Sequence, residues 1–171
     1  SIYEVLTILQ QAGLDSLPGG GAEILDDEIR AKICPNKANT QEWIETIKTA
    51  HKLGMKTNAS ELYGHIETIE ERVDHLITLR NLQDETGGFR AFIMWSFQSD
   101  HTKLKEEHPE IKKQSSNRYL RLLAVSRLYL DNFKNIQSSW VTQGSYIGQL
   151  ALMFGANDLG STMMEENVVK A

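Results

Sequence analysis

A single cysteine, Cys34, in 171 residues rules out a disulfide within the chain and any four-cysteine cluster or zinc site built from this chain alone. In KICPNK it falls in a loop between helical segments, where a half-buried thiol without chemistry is expected. Proline is almost as scarce, at three residues, so a proline-rich linker or disordered tract is excluded. Positive charge is in deficit, with 18 Lys and Arg against 23 Asp and Glu and a net charge of −5. The basic residues are scattered among acidic ones, so neither a nucleic-acid partner nor a polyanion is expected. No window approaches the roughly 20 apolar residues of a membrane span, and SIYEVLTILQQAG lacks the basic region and cleavage site of a signal peptide. The expected location is therefore the cytoplasm, with no membrane partner. Five histidines include no H-E-x-x-H spacing, so no metal site is expected from them. What is present, 40% hydrophobic and 24% charged residues, suffices for one ordinary core.

Read for period, the chain alternates helices with short apolar strands. A helix from Ile2 to Ala12 stops at Gly13, and LDSLP follows as a strand. DDEIRAKI is a short helical piece. Asn39 and Glu42 have capping-box spacing and open a helix with apolar positions Trp43, Ile44, Ile47, Ala50 and Leu53, stopped by Gly54. KTNASELYGH is the second strand. Thr68 and Glu71 repeat the capping box, and Ile69, Val73, Leu76 and Ile77 form the expected inner stripe of a helix reaching about Asp84. FRAFIMWSF reads as a strand covered on both faces. Asp100 to Asn117 reads as an exposed loop with at most one helical turn. A helix from Arg118 to Leu130, NIQSSWV as a strand, GSYIGQLALMFG as a helix closed by Gly155, and NDLGSTMM as a fifth strand complete the pattern.

Strands separated by helices imply an α/β fold with a parallel sheet of right-handed βαβ units, whose ligand site lies at the carboxyl ends of the strands. The unusual polar clusters all fall there: Gly19 to Glu23, Gly64 to Glu67, Phe97 and Gln98, Thr142 and Gln143, Ser161 and Thr162. A closed barrel needs eight strands and about 250 residues. Five strands fit a piece of one, or an open sheet with helices on both faces. SLPGGGAEI itself admits two readings. It is a turn followed by a solvated carboxylate, or a place where bare backbone approaches a ligand whose amino or hydroxyl group Glu23 accepts. The G-x-G-x-x-G spacing of a dinucleotide site is absent.

Taken together, LDSLPGGGAEIL, ELYGHIET, LQDETGGF, WVTQG and FGANDLGSTMMEENVV resemble the radical S-adenosylmethionine enzymes of the futalosine route to menaquinone, over essentially the whole chain. The resemblance implies a partial (β/α) barrel in which this chain supplies the fourth to eighth strands, so that residues 1–171 are the C-terminal part of one barrel domain. The family's four-iron four-sulfur cluster binds through C-x-x-x-C-x-x-C after the first strand. That motif is absent here, and Cys34 cannot replace it. The strand-helix units that carry it, roughly 120 to 150 residues, are expected ahead of Ser1, and this piece alone is expected to be inactive.

The implied activity is radical cyclisation of dehypoxanthine futalosine, with S-adenosylmethionine and the cluster as cofactors and a flavodoxin or ferredoxin as electron donor. WSFQ, WVTQG and GSTMMEENVV favour this over an aminofutalosine synthase-like reaction, which remains the alternative, as does a non-catalytic domain that completes a barrel with another polypeptide. For the cofactor the resemblance singles out Gly19, Gly20, Gly21, Glu23, Gly64, His65 and Glu67. For the substrate, the mouth of the barrel offers Glu61, Trp95, Gln98, Trp140, Thr142, Gln143, Ser161 and Thr162. Each tryptophan is by size and burial habit more often core than ligand platform, and His65 is at least as readily a structural hydrogen-bonding residue. Glu61 could pair with a cation, touch substrate or point outward. Asp84 with Glu85, and Glu165 with Glu166, read as surface pairs.

Overall fold

The computed structural model describes residues 1–18 and 21–162. Helix α1 (Ile2–Gln11) starts in a capping box of Ser1 and Glu4 and leads to β1, which is short (Ser16–Leu17). Asp26 caps α2 (Asp27–Ile33) by accepting from the Ile29 amide. The expected capping boxes Asn39/Glu42 and Thr68/Glu71 open α3 (Thr40–Lys52) and α4 (Ile69–Thr86), on either side of β2 (Lys56–Tyr63). After Gly87, β3 (Phe89–Ser96) is followed by α5 (Lys103–Glu107), α6 (Ser116–Tyr129) and β4 (Asn135–Gln137). Helices α7 (Trp140–Gln143) and α8 (Ser145–Ala151) and a 3-10 turn (Leu152–Phe154) follow.

Among the described residues the strands form one four-stranded sheet in the order β1-β2-β3-β4, every pair parallel. Each crossover therefore steps to the next position in the same direction, as in the wall of a barrel; a doubly wound sheet would reverse at a switch point. A fifth strand is not formed among these residues. Asp158 makes an isolated parallel bridge to Gln137, and Met163 and Met164 of the expected strand lie outside the described residues.

Partners in register share a face. Ala59 pairs with Phe92 and Phe92 with Ile136, and this outer face is covered by the helices in a core with Tyr63, Leu79, Tyr119, Leu123 and Phe133. A fully buried side chain of this size contributes about 1.5–3 kcal/mol. The inner face carries Asn58, Ser60, Leu62, Ile93, Asn135 and Gln137, all partly exposed, and Trp95 at 48% exposure. β3 is thus covered on one face by the described residues, not on both.

Two further expectations change. WVTQ is the short helix α7 and not the end of a strand, because the preceding Ser139 amide is drawn away to Tyr119 Oη (2.8 Å) and the Gly144 amide closes a turn on Trp140. In α4 the stripe Ile69, Val73 and Ile77 is exposed, while Arg72, His75, Leu76, Leu79, Leu82 and Gln83 face inward. The helix turns this face to the sheet because its polar members have partners there. Gln83 exchanges hydrogen bonds with the Phe89 backbone, and His75 bonds to β2.

Candidate functional site

The loop after β1 is held by two buried side chains. Arg30 of α2, 3% exposed, donates through Nη1 to the carbonyls of Ala22 (2.6 Å) and Ile24 (3.1 Å) and through Nε to that of Ala38 (3.0 Å). His75, fully buried, accepts from the Leu25 amide at Nδ1 (3.1 Å), so the ring proton sits on Nε2 and is donated to the Ser60 carbonyl (3.1 Å). Burial pushes its pKa down to about 3, and it stays neutral. The Glu23 carbonyl accepts from Leu62 N–H (2.8 Å), which extends the β1–β2 ladder beyond the strand.

Glu23 sits at φ +38, a backbone conformation uncommon outside glycine. Its carboxylate pairs with Lys37, and Oε2 lies 4.0 Å from Arg30 Nη1 without a hydrogen-bond partner. A groove of about 640 Å³ opens here, lined by Glu23, Ile33, Cys34, Lys37, Leu62, His65 and Phe97 among others. Burial raises the Cys34 thiol, so it remains protonated at neutral pH. Gly21 borders Glu23, whereas Gly19 and Gly20 lie outside the described residues.

The turn after β2 forms the adjoining wall. Glu67, its side chain 1% exposed, accepts from the amides of Gly64 (2.7 Å) and His65 (2.8 Å). Nε2 of His65 donates to the Leu62 carbonyl (2.9 Å). Gly64 takes φ +88, and a Cβ there would overlap the Gln114 side chain. Glu61 lies on the covered face of β2, in register with Met94, and is 2% exposed with Oε2 unpartnered. Burial pushes its pKa up to about 8, with Arg72 pulling the other way.

Gln98 and Gln143 converge on Ser96, donating to its Oγ at 3.1 and 2.8 Å, and Thr142 is bonded to Ser139. A separate recess of about 330 Å³ gathers Trp140, Gln149, Ser161 and Thr162. Trp95 stands apart on the open inner face. The expected residues therefore fall into three places at the carboxyl end of the sheet: a groove with Glu23 and His65, a hub at Ser96, and a recess at Trp140. Glu61 and Glu67 lie buried behind the groove. Asp84 binds the Asn132 amide (2.9 Å), Glu85 pairs with Lys48 (2.7 Å), and Glu165 and Glu166 lie outside the described residues.

Residues 86–171 match the family described as CofH/MqnC C-terminal region. The chain belongs to the CofH/MqnC family. It is 49% identical over 97% of its length to an aminodeoxyfutalosine synthase of Thermus thermophilus. It is 48% identical over its whole length to a cyclic dehypoxanthine futalosine synthase of Halalkalibacterium halodurans. A 5-amino-6-(D-ribitylamino)uracil–L-tyrosine 4-hydroxyphenyl transferase of Methanosarcina mazei is 47% identical, also over the whole chain. The chain spans 45% of the length of each of these relatives.

Three residues that build this candidate site carry little signal in sequence. Arg30 and Lys37 read as ordinary helix and loop charges. His75 shares a helical face with Leu79 and Leu82, and that spacing is the one clue to its burial. Among the described residues of this CofH/MqnC chain, no group of three or more His, Cys, Asp and Glu side chains could hold a metal ion.

Proposed function

We propose that this chain is the cofactor- and substrate-binding part of a radical S-adenosylmethionine enzyme that cyclises dehypoxanthine futalosine. The observation that carries the cofactor reading is Glu23: a carboxylate paired with Lys37 at the carboxyl end of a parallel sheet, lining a groove with apolar and aromatic walls. An amino acid ammonium or ribose hydroxyl would donate to this carboxylate in place of or beside Lys37, and Leu62, Ile33 and Phe97 supply apolar surface for a nucleoside. The described residues that would hold S-adenosylmethionine are Gly21, Glu23 and the Gly64–Glu67 turn; Gly19 and Gly20 join them on the sequence alone. They do not fit the four-iron four-sulfur cluster, since one cysteine cannot supply its thiolates.

S-adenosylmethionine, when bound in the whole enzyme, would supply the radical chemistry that takes a ribose hydrogen from the substrate, and Glu23 with the Gly64–Glu67 turn would hold it. This chain's part is to orient and to exclude water. His65 and Phe97 wall the groove, and Trp95 and the recess of Trp140, Ser161 and Thr162 offer a surface and hydroxyls to the substrate. A flavodoxin or ferredoxin is the electron donor on this reading.

Relatives with different printed names stand at nearly equal identity, so the aminodeoxyfutalosine synthase reaction is the second reading. Assay of the reconstituted full-length enzyme with each substrate separates the two, the cyclic product from dehypoxanthine futalosine being expected. Glu23→Gln should weaken S-adenosylmethionine binding about tenfold or more, the loss of one charge-assisted contact. Unchanged affinity and turnover would sink the role given to Glu23.

A further inference from the structure

The loop after α2 sends a lysine back to the carboxylate of the groove. Lys37 closes a turn with its own amide on the Cys34 carbonyl (3.0 Å), and the carbonyl of the next residue, Ala38, is held by Arg30. Its backbone is thus anchored, while its side chain is 51% exposed and ends in an ion pair with Glu23 Oε1. The stem passes beside Gly21, where a Cβ would meet Lys37 Cδ and Glu23 Oε2 at 4.0 Å. Lys37 therefore lies across the place where bare backbone and carboxylate adjoin, and both it and Glu23 line the groove.

Arg30 does not replace Lys37 in this role. Glu23 Oε2 is buried and 4.0 Å from Arg30 Nη1, but the nitrogens of Arg30 are spent on the carbonyls of Ala22, Ile24 and Ala38. Of the other charges on the groove, Lys103 pairs with Glu107 (3.4 Å), and Lys32 has no ion pair among the described residues. An ammonium arriving on a ligand must therefore take the place of Lys37 Nζ at Oε1. The displaced Nζ keeps its charge at the end of a flexible stem, with Lys32 on the same groove. A ligand that brings only an ammonium breaks one ion pair to make another. A ligand with a carboxylate on the carbon beside its ammonium gives Nζ a new partner close to the old one.

We propose that Lys37 stands in for a ligand's ammonium in the free protein and turns to the ligand's carboxylate on binding, so that Glu23 and Lys37 together read an α-amino acid zwitterion. This rests on the reading above, that the groove takes S-adenosylmethionine, and it names the part of that molecule which the turn 34–37 meets. Lys37 is then a latch on Glu23 and a source of selectivity: a cation without a carboxylate must displace it and offers it nothing in return.

Equilibrium binding of two ligands to the reconstituted full-length enzyme tests this. S-adenosylmethionine and its decarboxylated form share the nucleoside, the sulfonium and the ammonium, and differ in the carboxylate alone. Lys37→Met is expected to weaken the first about tenfold, by loss of a charge-assisted contact, and to tighten the second about threefold, by loss of a competitor. Local distortion does not move the two in opposite directions. Lys37→Arg, which keeps the charge, is expected to keep the preference for the carboxylate. A ratio of affinities unchanged in Lys37→Met overturns the proposal, and so does a decarboxylated ligand that binds no tighter, since Lys37 then does not compete for Glu23. Lys37 is half exposed, so its replacement is expected to leave the fold in place; Lys37→Gln repeats the measurement with a polar side chain. Glu23→Gln separates the two readings. Unchanged S-adenosylmethionine affinity there removes both, whereas weakened affinity with an unchanged ratio in Lys37→Met keeps the cofactor at Glu23 and removes the role of Lys37.

Discussion

Arg30 shows how much one side chain can carry when it is surrounded by carbonyls. It is the joint between the loop after β1, helix α2 and the approach to α3, and each of its bonds ends on backbone oxygen. Removing it strands the carbonyls of Ala22, Ile24 and Ala38 in a buried place, so Arg30→Met should cost about 2–4 kcal/mol in urea unfolding. Arg30→Lys should recover little of that, since an ammonium cannot reach both sides of the loop with a planar fork. Full stability in Arg30→Lys would show that charge alone holds the loop. None of this was legible beforehand, because DDEIRAKI has the composition of a solvated helix and the carbonyls that bury its arginine come from the loop on one side and Ala38 on the other. Glu23 was legible as a candidate for the opposite reason: glycines and a carboxylate after a short strand are unusual locally, whatever surrounds them. Its partner Lys37 was not.

At the scale of elements, the most readable features were those whose physics is local. Among the described residues three helices begin in capping boxes, two of them read directly from the Asn39/Glu42 and Thr68/Glu71 spacings. The face of α4 was read rightly at Leu76 and wrongly at Ile69, Val73 and Ile77, because hydrophobic periodicity cannot see that Arg72, His75 and Gln83 turn inward. α7 was missed because Trp140 and Val141 have strand propensity that tertiary contacts override. The turn after β2 offers a test at this scale. Gly64→Ala must bear both φ +88 and overlap with Gln114, while Gly54→Ala bears a similar φ of +82 with nothing within 4 Å. Gly54→Ala should cost about 1 kcal/mol of backbone strain, and Gly64→Ala about 2–3 kcal/mol, measured as unfolding free energies. Equal costs would mean that Gln114 yields freely and that the close approach in this turn is unimportant.

For the whole molecule, the buried titratable groups combine into a stability optimum. His75 and His51 have native pKa values pushed by burial to about 3 and about 4, against 6.5 for the free side chain. His51 is neutral in the fold: Nδ1 bonds Thr86 Oγ1 (2.7 Å), and because that hydroxyl donates to the Leu82 carbonyl, Nδ1 must carry the proton. Below pH 6.5 the unfolded chain therefore takes up histidine protons that the native chain refuses, and stability falls with falling pH. Glu61 acts the other way. Its native pKa of about 8, against 4.5, means the native chain holds a proton that the unfolded chain has released, so stability falls as pH rises from 4.5 to 8. Between pH 4.5 and 6.5 the two histidines outweigh the one carboxylate, although half-buried His51 contributes less than a full share. Above 6.5 the carboxylate acts alone. Stability from these groups should peak near pH 6.5 and decline toward pH 8 by at most about 1.4 kcal/mol per pH unit. Glu61→Gln should remove the alkaline decline and leave the acid side intact, as read by calorimetric Tm across pH 4.5 to 9. A wild-type Tm that is level from pH 6.5 to 8 would show that the native chain holds no proton that the unfolded chain releases in this range, and that Glu61 is ionised in its buried place.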